Sequence, residues 1–481
     1  MHHAKEVTVA HSTFCLAGDQ ANLVREQLAH QTGLPFLELL SATEVESTCR
    51  AANHKWRSRV YTPWITLSMF LSQILSSDQS CGDALERFQK YRNDCGLPPV
   101  ANNTASYCEA RQRLPEEVVW DLARRSGQSI HEKADVRWLF QGRPVKLLDG
   151  STVIMPDTEA NQAEYPQSRS QKPGLGFPIA RMLVIISLAV GTVLDAAIGP
   201  YQGKQSSELG LYRQISGQLQ RGDIALADRF FCNYWVIADS LRRGVDVVFR
   251  LHQARKADFR RGRRLGPNDH IVTWPKSQRP DWMSPDAYAA LPKELNLREI
   301  RVRIKDKTKR TRVLVIVTTL LDATKYQASA LGDLFRQRWH AELDIRSLKT
   351  TMRMEMLRTK SPEMVRKEIG MHLLAYNLIR GVMAEAARGR DVQPRELSFN
   401  GARQTVRAFE AGHLYEPKQF AADLPLLLDL IVQKRVGDRP DRYEPRGIKR
   451  RPKPYRLLTM PRQDAKTRIE RGEIIYERIK H

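Results

Sequence analysis

The order of short apolar runs between residues 145 and 251 limits the folds open to this chain more than any other feature. Short apolar runs bounded by turn residues are typical of strands, and apolar positions repeated every three or four residues are typical of helices. These patterns predict strands at 145–149, 182–190 and 193–198, a helix at 206–219, a strand at 223–227, a helix at 232–243 and a strand at 245–251. The order βββαβαβ predicts an α/β fold built on a mixed sheet.

One more helix would complete this order as a ribonuclease-H-like layer, and the helix that carries Glu342 supplies it. That helix comes only after an intervening stretch, 253–322, which contains β-like runs at 270–274, 300–305 and 311–319. A structureless loop of this length would be unusual in a compact domain. We therefore predict a ribonuclease-H-like mixed sheet with a small β-rich insertion.

Four residues of this last helix share one face. The spacing Phe335-x2-Arg338-x3-Glu342-x6-Lys349 places all four within a stripe about 60° wide, at about 100° per residue. A carboxylate is thus flanked by two cations on what we predict to be one continuous helix. The alternative is an ordinary ion-pair face, because Arg346 also lies one turn from Glu342.

Two aspartates stand at the ends of predicted strands. Asp149 closes the first strand, and Asp228 follows the fourth. In a ribonuclease-H-like sheet these two strands are neighbours, so both carboxylates can converge with Glu342. Taken singly, an aspartate before Gly150 is typical of a turn, and Asp228 is typical of a solvated charge at a sheet edge.

Three converging carboxylates would suit hard divalent cations, which prefer oxygen ligands. We expect two Mg²⁺ ions at Asp149, Asp228 and Glu342, and Mn²⁺ can replace them. One ion would activate a water or a 3′-hydroxyl, and the other would stabilise the leaving oxygen of an in-line displacement. The pattern indicates an enzyme that cuts and joins DNA.

The net charge of +23 and the isoelectric point near 9.9 favour a polyanionic partner, because bound cations release counterions from nucleic acid. A membrane surface is the competing interpretation. However, the apolar run 182–194 is shorter than the roughly 20 residues of a spanning helix, and the N-terminus shows no signal-peptide core. Six cysteines without metal-like spacing are typical of reduced thiols. We expect a cytoplasmic, nucleoid-associated protein with no membrane partner.

Helical patterns precede the sheet, and basic patterns follow it. Residues 15–135 are predicted to be helical, and Thr62-Pro63 is typical of a helix start. Small helical units with exposed arginines suit DNA docking, and a plain helical bundle is the alternative. An apolar helix is predicted near 420–432. Residues 434–481 hold 16 Lys and Arg against 7 Asp and Glu, a tail that suits nucleic-acid contact or solubility alone.

Several blocks of this sequence resemble the fourth insertion-sequence family of DDE transposases, which has a YREK signature and includes the transposon-five-like enzymes. The run from Phe335 to Lys349 resembles the signature itself. Asp149-Gly-Ser-Thr and Asp228-Arg-Phe-Phe resemble the blocks around the family's first two aspartates. The segments 107–115 and 171–178 are also similar to family members. The resemblance covers roughly residues 55–390.

This resemblance implies cut-and-paste transposition catalysed by the three carboxylates. It also implies that Arg338 and Lys349 hold DNA phosphates beside the cleavage site. Phe335 stands where the signature has a tyrosine, so its ring can pack but its hydroxyl is missing. Arg229, inside the block of the second aspartate, is a further candidate DNA contact.

Relatives free the element through a DNA hairpin, with a flipped base stacked on an aromatic residue of the insertion. The resemblance therefore makes Trp274 a candidate for stacking and Trp282 a second one, although either is also typical of a small-domain core. Trp339 lies off the helix stripe and is predicted to be in the core. Lys172 lies in a basic, glycine-rich segment that lacks a P-loop pattern, so it implies no nucleotide cofactor but could touch DNA.

We therefore predict a bacterial DNA transposase that binds terminal inverted repeats and target DNA as a homodimer or a larger synaptic complex. Two alternatives stay open, a nuclease of the same fold that cuts without joining and an inactive DNA-binding regulator. The predicted regions are an α-helical N-terminal DNA-binding region at 1–135, the first part of the catalytic core at 140–252, the insertion at 253–322, the second part of the core at 323–390 and a helical and basic C-terminal region at 391–481.

Overall fold

The computed structural model describes residues 40–94, 96–203, 207–305, 311–413, 417–437 and 458–473. The helical pattern predicted before residue 40 and the basic cluster at 446–453 lie outside these described residues. None of the described helices is both long enough and apolar enough to cross a membrane.

Nine strands form one mixed sheet in the described part of the chain. The strands are β1 (Val145–Ile154), β2 (Ile179–Ser187), β3 (Val193–Pro200), β4 (Ile224–Ala227), β5 (Asp246–Arg250), β6 (Arg263–Gly266), β7 (Asp269–Pro275), β8 (Glu294–Lys305) and β9 (Thr311–Thr318). Their order is β3-β2-β1-β4-β5-β9-β8-β7-β6. The central strands β1, β4 and β5 are parallel, and every other neighbouring pair is antiparallel. The prediction of an α/β fold on a mixed sheet is confirmed.

Helices surround this sheet and form the region before it. They are α1 (Ala42–Ala51), α2 (Pro63–Leu75), α3 (Cys81–Asp94), α4 (Ala105–Arg113), α5 (Glu116–Glu132), α6 (Glu159–Glu164), α7 (Glu208–Ile215), α8 (Tyr234–Arg242), α9 (Pro285–Ala289), α10 (Ala328–Gln337), α11 (Trp339–Arg346), α12 (Pro362–Ala387), α13 (Phe399–His413), α14 (Pro417–Gln433) and α15 (Arg462–Glu470). The predicted start at Thr62-Pro63 is confirmed, since the Thr62 hydroxyl accepts a hydrogen bond from the Ile65 amide at 3.4 Å.

The sheet has an apolar core on each face. Leu147 and Leu148 are adjacent on β1 and enter different core clusters, as the alternation of a strand requires. One cluster contains α12, a 26-residue helix that packs against α2, α5, α13, α14 and β3. Asn377 of α12 accepts a hydrogen bond from the Val193 amide and donates to the carbonyls of Val193 and Ala123. These bonds join α5, α12 and β3, so the region before the sheet shares a core with it.

The insertion continues the main sheet. Strand β9 pairs with β5, and β8, β7 and β6 follow outward in antiparallel order. The insertion is therefore β-rich, as predicted, but its strands share one sheet with the rest. The guanidinium of buried Arg298 on β8 pairs with Asp269 at 2.5 Å and donates to the Tyr326 carbonyl at 2.6 Å. This contact fixes the insertion to the segment that leads into α10.

The prediction of one continuous helix from Phe335 to Lys349 is wrong. Helix α10 ends at Gln337, and Arg338 joins it to α11 through tight backbone bonds, with the Arg338 amide donating to the Phe335 carbonyl and the Ala341 amide donating to the Arg338 carbonyl. A π-helical turn, Ser347–Thr351, then follows α11. A π turn changes the number of residues per turn, so the expected stripe does not persist.

Candidate active site

The two aspartates lie side by side on neighbouring parallel strands. The prediction that Asp149 closes the first strand is wrong, because β1 continues to Ile154 and stays paired with β2 beyond Asp149. Asp228 directly follows β4, as predicted. Leu148 on β1 is in register with Ala227 on β4, so Asp149 and Asp228 are each the next residue along. Asp228 is further held by its own turn, in which its Oδ1 accepts a hydrogen bond from the Phe230 amide at 2.8 Å. The predicted adjacency of the two strands is therefore present.

Arg338 connects Asp149 to the third carboxylate. Its Nη2 lies 2.6 Å from Oε1 of Glu342, and its Nη1 lies 3.7 Å from Oδ2 of Asp149. Burial raises the pKa of Asp149 to about 6, Arg338 opposes that rise, and Glu342 and Asp228 add to it. Glu342 and Asp228 therefore both lie close enough to Asp149 to act on its charge.

A fourth carboxylate, Glu208, was not identified from the sequence. It lies in the first turn of α7, whose amide at Gly210 donates to the Ser207 hydroxyl at 3.1 Å. A Cβ atom built on Gly150, the residue after Asp149, would lie 2.7 Å from Oε1 of Glu208. Burial raises the pKa of Glu208, and Asp228 raises it further. Its sequence context, an acid in the first turn of a capped helix, is ordinary and gave no functional signal.

The chemistry of these donors fits a hard divalent cation, because all four offer carboxylate oxygen. The side chains are not arranged as a preformed cage. Across the described residues, no group of three or more His, Cys, Asp or Glu side chains is close enough together to hold a metal ion. Arg338 instead neutralises Asp149 and Glu342.

The other two residues of the predicted stripe, Phe335 and Lys349, make contacts of their own. The ring of Phe335 is 6% exposed and packs in the core, as expected for a phenylalanine in this place. Lys349 lies in the π turn, with its Nζ 3.9 Å from Oε1 of Glu355. Arg338 is thus the cation of the stripe that the structure pairs with two of the three predicted site carboxylates, Asp149 and Glu342.

Aromatic residues divide between core and surface in an unexpected way. Trp274 is 5% exposed, donates to Oε1 of Glu299 at 3.2 Å and lies under the Arg255 guanidinium. Trp282 is 49% exposed and stacks with Arg213 at 4.3 Å. The prediction that Trp339 lies in the core is wrong, since it is 56% exposed beside Arg338.

Two predicted DNA contacts lie on the surface. Arg229 is exposed directly after Asp228, and Lys172 is exposed in the segment between β1 and β2. That segment also contains the short helix α6. Neither charged side-chain group forms a hydrogen bond or ion pair with another described residue, although both backbone carbonyls accept hydrogen bonds. Both are therefore available to an anionic partner.

A buried ion cluster fixes α11 from behind. Asp344, two residues after Glu342, accepts hydrogen bonds from Arg395 to both carboxylate oxygens at 2.7 Å, and it also pairs with Arg380. Arg395 donates in addition to the carbonyls of Ser187 and Leu188 at the end of β2. The helix that carries Glu342 is thereby tied to the sheet. Sequence reasoning missed this cluster because its partners lie far apart along the chain.

Residues 140–378 match the family model described as "Transposase DDE domain". The chain is 28% identical over 364 residues to "Transposase InsG for insertion sequence element IS4" of Escherichia coli (strain K12), which covers 72% of this chain and 76% of that protein. A stretch of 69 residues, 14% of this chain and 19% of the relative, is 35% identical to "Putative transposase InsL for insertion sequence element IS186A" of the same strain. Among solved structures, a piggyBac transposase synaptic complex with hairpin DNA matches over 85% of each chain, with 11% identity and a TM-score of 0.39.

Proposed function

Because residues 140–378 form a transposase DDE domain and the chain is a DNA transposase, we propose that it moves an insertion sequence by a cut-and-paste route. Phosphodiester hydrolysis would free the element end, and the resulting 3′-hydroxyl would then attack target DNA. Two observations support this proposal: Asp149 and Asp228 follow paired residues of neighbouring parallel strands, and Arg338 bridges Asp149 and Glu342.

We also propose a finer classification within this function. The strand order β3-β2-β1-β4-β5, with β1, β4 and β5 parallel, supports a ribonuclease-H-like core. The spacing from Phe335 to Lys349 supports the YREK group of the fourth insertion-sequence family, including its transposon-five-like members. The proposed regions keep the boundaries predicted from sequence, with 1–135 as the DNA-binding region. The proposed place of action is the bacterial nucleoid.

Asp149, Asp228 and Glu342 are the residues that would hold Mg²⁺ or Mn²⁺. Two bound ions would supply a nucleophile at neutral pH and stabilise the leaving oxygen. The chain's own contribution is to hold the three carboxylates on β1, β4 and α11 within a half-buried pocket. Arg338, which now balances two of those charges, is placed to contact the phosphate that is cut.

DNA contacts outside the carboxylates are assigned by exposure and charge. Arg229 and Lys172 are exposed cations, and we propose that both contact backbone phosphates, as we propose for Lys349. Exposed Trp339 is better placed than buried Trp274 to stack on a base, although the stacking role of Trp274 stays a prediction. The DNA partners would be terminal inverted repeats and target DNA, bound by a homodimer or a larger synaptic complex.

The test is cleavage of the labelled element end with Mg²⁺, comparing wild type with Glu342→Gln. We expect nicked product followed by a hairpin or joined product in wild type and neither in the variant. Glu117→Gln is the matched control, because Glu117 is exposed on α5 and should react like wild type. Nicking without joining would identify a nuclease, and tight binding without cleavage in Mg²⁺ or Mn²⁺ would identify a regulator.

A further inference from the structure

A cavity of about 420 Å³ lies between the helices before the sheet and the segment that follows the catalytic helix. Helices α2 and α4 form one side of it, and residues 358–361 with the start of α12 form the other. Phe70, Ile74 and Met364 give it an apolar wall. The cavity lies apart from the carboxylates of the active site, and no function described above uses it.

A buried cation without a full set of partners lines this cavity. Arg111 on α4 is 8% exposed, and its Nε is a buried donor with no hydrogen-bond partner. Its Nη1 donates to Oε1 of Gln73 at 3.0 Å, and its guanidinium lies over the rings of Phe70 and Tyr107. A buried donor left without an acceptor is unfavourable, because it has lost its hydrogen bond to water without gaining another. The Nε–H of Arg111 can therefore donate to an acceptor on a ligand, because no described residue provides one.

Further positive charge surrounds the same cavity. Arg358 and Lys360 line it and are exposed, so they can receive an anion from solvent. Ser361 is the N-cap of α12 and makes no side-chain cap bond there. The first-turn amides of a long helix lack partners within the helix and carry a partial positive charge. The buried guanidinium of Arg111, the exposed side chains of Arg358 and Lys360 and the N-terminus of α12 therefore all line the same cavity.

The one acid in the cavity lining, Glu368, offsets only part of this charge, although it lies close enough to Arg111 for the two charges to interact. The Glu368 carboxylate accepts hydrogen bonds from the Arg358 amide, the Thr359 amide and the Thr359 hydroxyl. Burial also raises the pKa of Glu368, although those bonds oppose the rise. Lys367 donates to the Gln112 carbonyl at 2.7 Å, which ties α12 to the end of α4. The two walls are therefore fixed relative to each other.

We propose that this cavity binds one phosphodiester unit of a DNA strand, with Arg111, Arg358 and Lys360 on the phosphate and the apolar wall against the deoxyribose. A free phosphate ion would share the charge chemistry but would leave Phe70 and Met364 without a contact. This inference rests on the proposed function, since it takes DNA as the partner. It gives the region before the sheet a direct part in holding the strand beside the core.

Two thiols in the cavity report its occupancy. Cys81 and Cys108 also line it, with their Sγ atoms 3.8 Å apart. We would alkylate the full chain with iodoacetamide and follow each cysteine by peptide mass spectrometry, with buried Cys49 and Cys232 as internal references. Duplex DNA with the element end should slow alkylation of Cys81 and Cys108 at least fivefold. Protection by inorganic phosphate but not by DNA, or by neither, would overturn the proposal.

Charge variants give an independent readout. Arg358→Gln combined with Lys360→Gln should weaken DNA binding at least tenfold and lower the salt slope of log Kd by about 2, because each lost phosphate contact lowers it by about 1. The matched control is Arg242→Gln with Lys293→Gln, which removes the same exposed charge elsewhere. Arg111→Met tests the contribution of the buried cation to DNA binding, once circular dichroism has shown that this variant is folded.

These outcomes separate the inference from its premise. A wild-type chain that does not bind or cut element-end DNA would contradict the proposed function. A wild-type chain that binds and cuts, beside a double variant no weaker than its control, would contradict only the cavity proposal.

Discussion

At the scale of single residues, Asp149 is a carboxyl group whose buried position disfavours its charged form. Burial raises its pKa to about 6, with Arg338 as the main opposing influence. Because the unfolded pKa is about 3.9, the folded chain binds more protons at this residue between about pH 4 and pH 6. The free energy of unfolding should therefore fall as the pH rises through that window, and the deficit should persist above it.

The substitution Asp149→Asn should remove this decrease in the free energy of unfolding, because asparagine does not ionise. In metal-free buffer we expect the free energy of unfolding to rise by about 1–3 kcal/mol above pH 6 and to change little below pH 4. Urea unfolding at pH 4 and pH 8 measures both values. Asp94→Asn, an exposed residue of α3, is the control and should change neither. An equal gain at both pH values would show that the carboxylate is not the cause.

Glu208 is a second residue whose position predicts an effect. Its carboxylate lies against Gly150 and close enough to Asp228 to raise its own pKa. Glu208→Gln should weaken Mn²⁺ binding about tenfold, as loss of a charge beside metal ligands commonly does. Electron paramagnetic resonance of free Mn²⁺ measures this without catalysis. Glu117→Gln should bind as wild type does, and an unchanged affinity in Glu208→Gln would place Glu208 outside the metal site.

The candidate site residues that could be identified from sequence are those that stand in a recognisable local pattern. Asp149 and Asp228 each end a recognisable apolar run, and Glu342 stands in a spaced pattern with Arg338. Glu208 has no such local sign, because its approach to Gly150 depends on how α7 crosses the sheet. Its role could be recognised only in three dimensions.

At the scale of elements, the short helix α11 depends on the cluster behind it. Asp344→Ala would leave Arg380 and Arg395 buried without their shared carboxylate, and such a loss is destabilising by about 3–5 kcal/mol. We expect a lower free energy of unfolding and weaker Mn²⁺ binding, because α11 also carries Glu342. Chemical denaturation and metal titration measure the two effects.

The control for this element is Asp333→Ala on α10. Asp333 pairs with Arg336, and both side chains are more than 60% exposed, so its loss should change the free energy of unfolding by less than about 1 kcal/mol. Equal effects from Asp344→Ala and Asp333→Ala would contradict a structural role for the buried cluster.

Element positions were predictable wherever the apolar pattern was regular. The parallel strands β4 and β5 lie within a residue of their predicted positions, since buried strands give unbroken apolar runs. The helix break at Arg338 was not predictable, because a fixed angle of 100° per residue assumes one uninterrupted helix. The π turn at Ser347–Thr351 defeats the same assumption for Lys349.

At the scale of the whole molecule, charge governs DNA binding. Replacing Arg446, Lys449, Arg450, Arg451 and Lys453 with Gln removes five of the 77 Lys and Arg residues. If this cluster touches DNA, the salt slope of log Kd should fall by several units, because each phosphate contact contributes about 0.9. Fluorescence anisotropy with labelled duplex from 50 to 200 mM KCl measures the slope. An unchanged slope would leave the tail with a role in solubility alone.

The joining of the insertion to the main sheet could not be predicted from sequence. Strand β9 pairs with β5 although about 60 residues separate them, and nothing local in either strand specifies the partner. Only the β character of the insertion was visible, in runs such as 311–319. Pairing at this distance is decided by which edge the folded core leaves open.

The separation of the three acids along the chain determines when each of them is synthesised. Asp149 and Glu342 are about 190 residues apart, and a chain made at about 5–20 residues per second needs about 10 to 40 s to pass from one to the other. Asp228 is translated about 80 residues after Asp149, and Glu342 follows about 110 residues later still. Because Glu342 is synthesised last of the three acids, the chain can gain the ability to cut DNA only after most of its residues have been made.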